Sequence, residues 1–114
     1  MKEYLMLIRE NIENYGKMTP EEMQQDIANH MAWVTSLVEK GHFKTGNPLM
    51  PSGKYLTGNV VTDGPYIEVK EGVSGYYFLL ANSLEEAAEI AKGCPSLAVG
   101  GTLEIREVIE TGAE

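Results

Sequence analysis

The residues with the most useful chemistry in this 114-residue chain are few: two histidines, His30 and His42, one cysteine, Cys94, and a scatter of carboxylates. An imidazole titrates near neutral pH, so His30 is suited to act as a general acid or base. It falls on an apolar helical stripe with Ile27, Val34 and Leu37, and close to Trp33. A half-buried histidine with a satisfied hydrogen bond fits the same position, and both readings stand. Asp63 is the carboxylate chosen as partner, because a carboxylate bonded to imidazole fixes its tautomer and stabilises its protonated form. Standing before Gly64-Pro65, Asp63 is equally suited to cap a turn through nearby backbone N–H groups. Cys94 beside Pro95 is a candidate nucleophile, or a small buried apolar group. His42 has no HxxH or Cys/His companion spacing, so no metal is expected. The glycines at 58, 64, 72, 75, 100 and 101 form neither GxGxxG nor a P-loop, so no nucleotide or other cofactor is expected.

These groups need elements to hold them. Glu3–Arg9 reads as a strand that is apolar on both faces, hence central. Thr19-Pro20-Glu21-Glu22 starts a helix: threonine caps, proline suits the first turn, and the glutamates favour its positive end. Apolar residues then recur at helical spacing to Val38, and Gly41 ends the helix in a left-handed conformation. Residues 42–53 read as a loop with room for a short strand, and Lys54–Val61 as a strand. Asp63-Gly64 is expected to turn the chain, with Pro65 opening a strand over Tyr66–Lys70. Glu71–Gly75 reads as another turn, and Tyr76–Ala81 as a second strand apolar on both faces. Ser83 with Glu86 gives a capping box for a second helix, stopped by Gly93 and Pro95. A last strand covers Thr102–Ile109.

This order predicts an α+β domain with a ferredoxin-like βαββαβ sheet, its first and third strands central, and an extra hairpin strand widening one edge. The length suits one domain. No apolar run approaches the roughly 20 residues that cross a bilayer, and the start of the chain lacks a signal-peptide pattern, so no membrane association is expected. A net charge of −8 repels phosphate backbones, which argues against nucleic-acid binding. One cysteine allows no internal disulfide, in keeping with a cytoplasmic protein.

Two helices cover one face of such a sheet, yet its central strands are apolar on both. A monomer would leave a contiguous apolar patch in water. A homodimer through the sheet face is therefore expected. Glu68, Lys70, Glu104 and Arg106 would rim the resulting cleft, or serve only to discourage edge-to-edge aggregation.

The segment Asp63-Gly-Pro-Tyr-Ile-Glu-Val-Lys-Glu71, followed by Gly75-Tyr76-Tyr77, resembles the DGPF pattern of the YCII-related proteins, with Tyr66 where phenylalanine is usual. Leu84-Glu-Glu-Ala, Cys94-Pro95 and Gly100-Gly-Thr-Leu-Glu-Ile-Arg106 fit the same family. The resemblance spans residues 1–109 as a single domain and leaves 110–114 as a short tail. It implies a dimeric α+β barrel and a histidine–aspartate pair as active site, in a family where many DGPF members have no assigned activity. The combined reading is a small-molecule enzyme using His30 and Asp63 as acid/base pair. Trp33, Tyr66, Glu68, Lys70 and Arg106 would contact an unidentified small molecule. The alternative is a non-catalytic ligand-binding or accessory dimer.

Overall fold

A computed structural model of the chain describes residues 1–64 and 71–112, apart from the side chain of Tyr15. Its frame is a four-stranded antiparallel sheet of β1 (Lys2–Asn11), β2 (Phe43–Pro48), β5 (Glu71–Ala81) and β6 (Thr102–Glu107), in the order β2-β5-β1-β6. The central strands are β1 and β5, as their two-sided apolarity requires. Three α-helices, α1 (Ile12–Gly16), α2 (Pro20–Glu39) and α3 (Leu84–Ala91), and a 3-10 helix over Pro95–Val99 complete the body. The architecture is α+β and ferredoxin-like.

Local chemistry fixes the helix ends. Thr19 caps α2 by accepting from the Glu22 N–H, while the Glu22 carboxylate accepts from the Thr19 N–H, a complete capping box. Gly41, with φ of 76°, takes the left-handed position after the last turn. Ser83 caps α3 through the Glu86 N–H; the Glu86 carboxylate reaches back to Asn82.

Along β1, Tyr4, Met6 and Ile8 are buried toward the helices. They pack with Leu37 of α2, Tyr77 and Leu79 of β5, and Ala87 and Ala91 of α3 into one core. The other sheet face carries Leu5, Leu7, Tyr76, Phe78 and Leu80, all half-exposed.

Two local expectations are corrected and one is filled in. The short strand for which residues 42–53 had room is β2, and it is the second strand of the main sheet; its Lys44, Thr45, Asn47 and Pro48 are exposed, as an edge strand permits. Glu71–Gly75 continues β5 rather than turning. Gly72 and Gly75 are buried within that strand, and a register shift between Ile8 and Arg9 leaves Ser74 as the extra residue. The segment 53–64 is a separate hairpin, β3 (Gly53–Thr57) and β4 (Val60–Gly64), turned at Gly58-Asn59. It does not widen the main sheet. Asp63 and Gly64 extend β4 opposite Lys54 and Gly53 instead of forming a turn. The strand expected over Tyr66–Lys70 lies outside the described residues.

Candidate functional site

A cavity of about 330 Å³ opens between α2 and the helical face of the sheet. That volume is at the lower end of small-ligand sites. From α2 it is lined by Asp26, Ile27, His30, Met31 and Val34, successive positions on one side of the helix. From the sheet come Ile8 and Glu10 of β1, Phe43 of β2, and Ser74, Gly75 and Tyr77 of β5. Ser74 and Gly75, two of the residues that made Glu71–Gly75 look like a turn, thus floor a cavity. Ser96, at the start of the 3-10 helix, closes the polar end.

His30 is held on both ring nitrogens. Its Nδ1 lies 2.9 Å from the Tyr77 hydroxyl and its Nε2 lies 3.1 Å from Ser96 Oγ. The Asp26 carboxylate, one turn earlier on α2, stands 3.9 Å from Nε2, an ion pair when the ring is protonated. That distance is too long for a direct hydrogen bond. A carboxylate on the Nε2 side favours the neutral tautomer that carries its proton there. Nδ1 then accepts from the Tyr77 hydroxyl, and Nε2–H donates to Ser96.

The Asp26 carboxyl is pushed above its ordinary value, chiefly by burial; His30 opposes the shift and Glu10 adds to it. Burial also raises the Tyr77 hydroxyl far above the usual tyrosine range, so it remains a neutral group able both to donate and to accept. The Cys94 thiol is raised as well, by burial first, with hydrogen bonds from Ser96 offsetting part of the shift. A buried thiol of that kind is a poor nucleophile.

Tyr77 is the hub of the site. Its ring packs against Trp33 at 5.5 Å between centroids, Phe43 at 5.9 Å and His30 at 6.0 Å. Two glycines make room for this cluster. A Cβ on Gly46 of β2 would fall 2.0 Å from Tyr77 Cδ1, and one on Gly93 would fall 2.6 Å from Trp33 Nε1.

The expected site residues are therefore distributed unevenly. His30 is on the cavity wall, and Trp33 supports it by backing Tyr77. Asp63 is not brought to His30. It lies on β4, 89% exposed, hydrogen-bonded to Lys54, and joined to His30 by no hydrogen bond or ion pair. The reason is that Asp63-Gly64 prolongs a hairpin instead of turning back. Arg106 pairs in register with Leu5, on the sheet face opposite Tyr4 and Met6, and so stands away from the cavity. Tyr66, Glu68 and Lys70 lie outside the described residues. Asp26, Tyr77 and Ser96 were missed. For Asp26 the signal was present as the four-residue spacing to His30 on one helix. Ser96 and Tyr77 meet His30 only through the fold.

The sequence model of the YCII-related domain matches residues 2–111. The chain belongs to the YCII-related domain family. No curated protein matches the chain. The Asp26 carboxylate beside His30 comes from the same helix, one turn earlier. Among the described residues no group of three or more His, Cys, Asp or Glu is placed to hold a metal ion. No helix among the described residues is long and apolar enough to cross a membrane.

Proposed function

We propose that the cavity beside α2 binds a small molecule and that His30 exchanges a proton with it, with Asp26 rather than Asp63 as the neighbouring carboxylate. One observation carries this reading: a titratable imidazole, flanked by a partly desolvated carboxylate, lines a mainly apolar cavity. When the ring is protonated, Nδ1–H donates to the Tyr77 oxygen, and the Tyr77 hydroxyl proton becomes free to point at the ligand. As Tyr77 gives that proton to the ligand, it takes the one from Nδ1. The net transfer is one proton from His30 to the ligand, and Tyr77 never becomes an anion. The reverse sequence makes His30 a base. Asp26 stabilises the imidazolium in both directions.

A second reading, a non-catalytic ligand-binding or accessory module, is favoured by the fact that both ring nitrogens already have hydroxyl partners. The two readings separate on His30→Gln, whose amide can still bond both hydroxyls. Metabolites that raise the melting temperature are collected first, then assayed for turnover. The catalytic reading expects conversion by the wild type and retained binding without conversion by His30→Gln. Hits left chemically unchanged by the wild type, or turned over equally by the variant, would remove it.

The protein is further proposed to be a cytoplasmic homodimer joined through the sheet. The half-exposed Leu5, Leu7, Tyr76, Phe78 and Leu80 support the dimer, since such a contiguous face favours self-association. A monomeric mass by light scattering at micromolar concentration would count against it.

A further inference from the structure

Two carboxylates line the cavity, and among the described residues neither has a fixed cation. There Asp26 has only His30, charged only when protonated. Glu10 makes no hydrogen bond or ion pair among the described residues. Arg9, between Ile8 and Glu10 on β1, turns to the opposite face and bonds Glu104 at 3.2 Å. No lysine or arginine lines the cavity among the described residues. An anionic ligand would bring a third negative charge into a partly enclosed space, where low polarity strengthens repulsion. The chain's net charge of −8 adds a long-range field of the same sign. Of the other lining residues, Ile8, Ile27, Met31, Val34 and Phe43 offer apolar contact to the body of a ligand.

From this we infer that the cavity takes a compact molecule with an apolar body and a positively charged, amine-type end, the amine lying toward Asp26 and Glu10. The inference rests on the cavity being a ligand site, and is independent of whether His30 transfers a proton. A cation there would meet charges that no described lysine or arginine compensates, and the aromatic rings of Phe43 and Tyr77 line the same cavity.

The test uses three probes of nearly equal size and different charge: benzylamine, benzyl alcohol and benzoate. Binding is followed by amide chemical shifts at Phe43, Gly46, Ser74 and Gly75 in the isotope-labelled protein. Benzylamine should bind about tenfold more tightly than benzyl alcohol, and benzoate most weakly. In the Asp26→Asn/Glu10→Gln double variant the amine and the alcohol should bind within about twofold of each other. If that variant loses its dispersed spectrum, added salt replaces it: the wild-type preference for the amine must shrink as sodium chloride is raised. Benzoate binding as tightly as benzylamine overturns the inference, as does a preference that survives charge removal or salt. Equal binding of amine and alcohol overturns the inference while leaving the cavity as a ligand site. Silence of all three probes at these amides removes the cavity reading itself, and the inference with it.

Discussion

Asp26 sits on a cavity wall with 22% of its side chain exposed, and Asp63 sits on the β3–β4 hairpin with 89% exposed. The first is raised in pKa by burial and faces an imidazole. The second meets water and the flexible ammonium of Lys54. Around Asp26, hydroxyls, ring nitrogens and aromatic faces are locked together beneath α2. Around Asp63, Leu56, Val60 and Val61 stand 59–70% exposed. A carboxylate acquires chemistry from its surroundings, and among the described residues those surroundings are found at Asp26 and not at Asp63. The exposed hairpin also asks for a cover, since an isolated two-stranded ribbon is marginal in water.

The largest expected difference between the two regions is in stability. Tyr77 is 5% exposed and touches every ring of the site. Tyr77→Ala should cost about 3–5 kcal/mol in urea unfolding, from lost burial and the cavity left behind. Tyr77→Phe keeps the ring and should cost about 1 kcal/mol, the value of one hydrogen bond. Leu56→Ala on the hairpin should stay within about 0.5 kcal/mol for the monomer. If Leu56→Ala proves as costly as Tyr77→Ala, the hairpin is buried in the working assembly.

A smaller effect, with a definite sign, is expected at Asp26. Its folded pKa lies above the unfolded value of 3.8. Between those two values the native state holds more protons than the unfolded state, so stability falls as pH rises through that window. Above it the cost is constant. Asp26→Asn should therefore melt higher than wild type at pH 7, and the advantage should fade as pH drops through the window toward 3.8. Thermal unfolding across pH 3 to 8 checks this. A variant that melts lower at neutral pH would mean that the attraction to His30 outweighs desolvation. A stabilising change at a residue assigned to the site is what a stability–function trade-off predicts.

How much of this the sequence disclosed depends on how local the signal is. The α2 helix was legible because Thr19, Pro20 and Gly41 act within one turn of its ends. Strands β1 and β5 were legible where apolar residues run without interruption, on both faces. Strand β2 was legible only as room for a short strand, since an edge strand needs no apolar outer face and Lys44, Thr45, Asn47 and Pro48 suit a loop equally. Gly72, Ser74 and Gly75 are turn residues by propensity, yet here they are small residues under close packing, a tertiary reason that propensity does not carry. His30 stood out by its place on the α2 stripe. Its hydroxyl partners come from positions 47 and 66 residues further along, so only the fold brings them in.

The smallest expected effect is the most direct comparison of the two aspartates. Asp63→Asn removes one exposed ion pair, worth about 0–1 kcal/mol. The carbon-bound ring protons of His30, followed at one fixed pH, should keep their wild-type chemical shifts in Asp63→Asn. In Asp26→Asn they should move, because the carboxylate that stands 3.9 Å from Nε2 is removed. Ring signals that move with Asp63 and not with Asp26 would restore the hairpin aspartate as the partner. Among the described residues of one chain no hydrogen bond or ion pair joins the two, so the next measurement would be whether that coupling depends on a second copy of the chain.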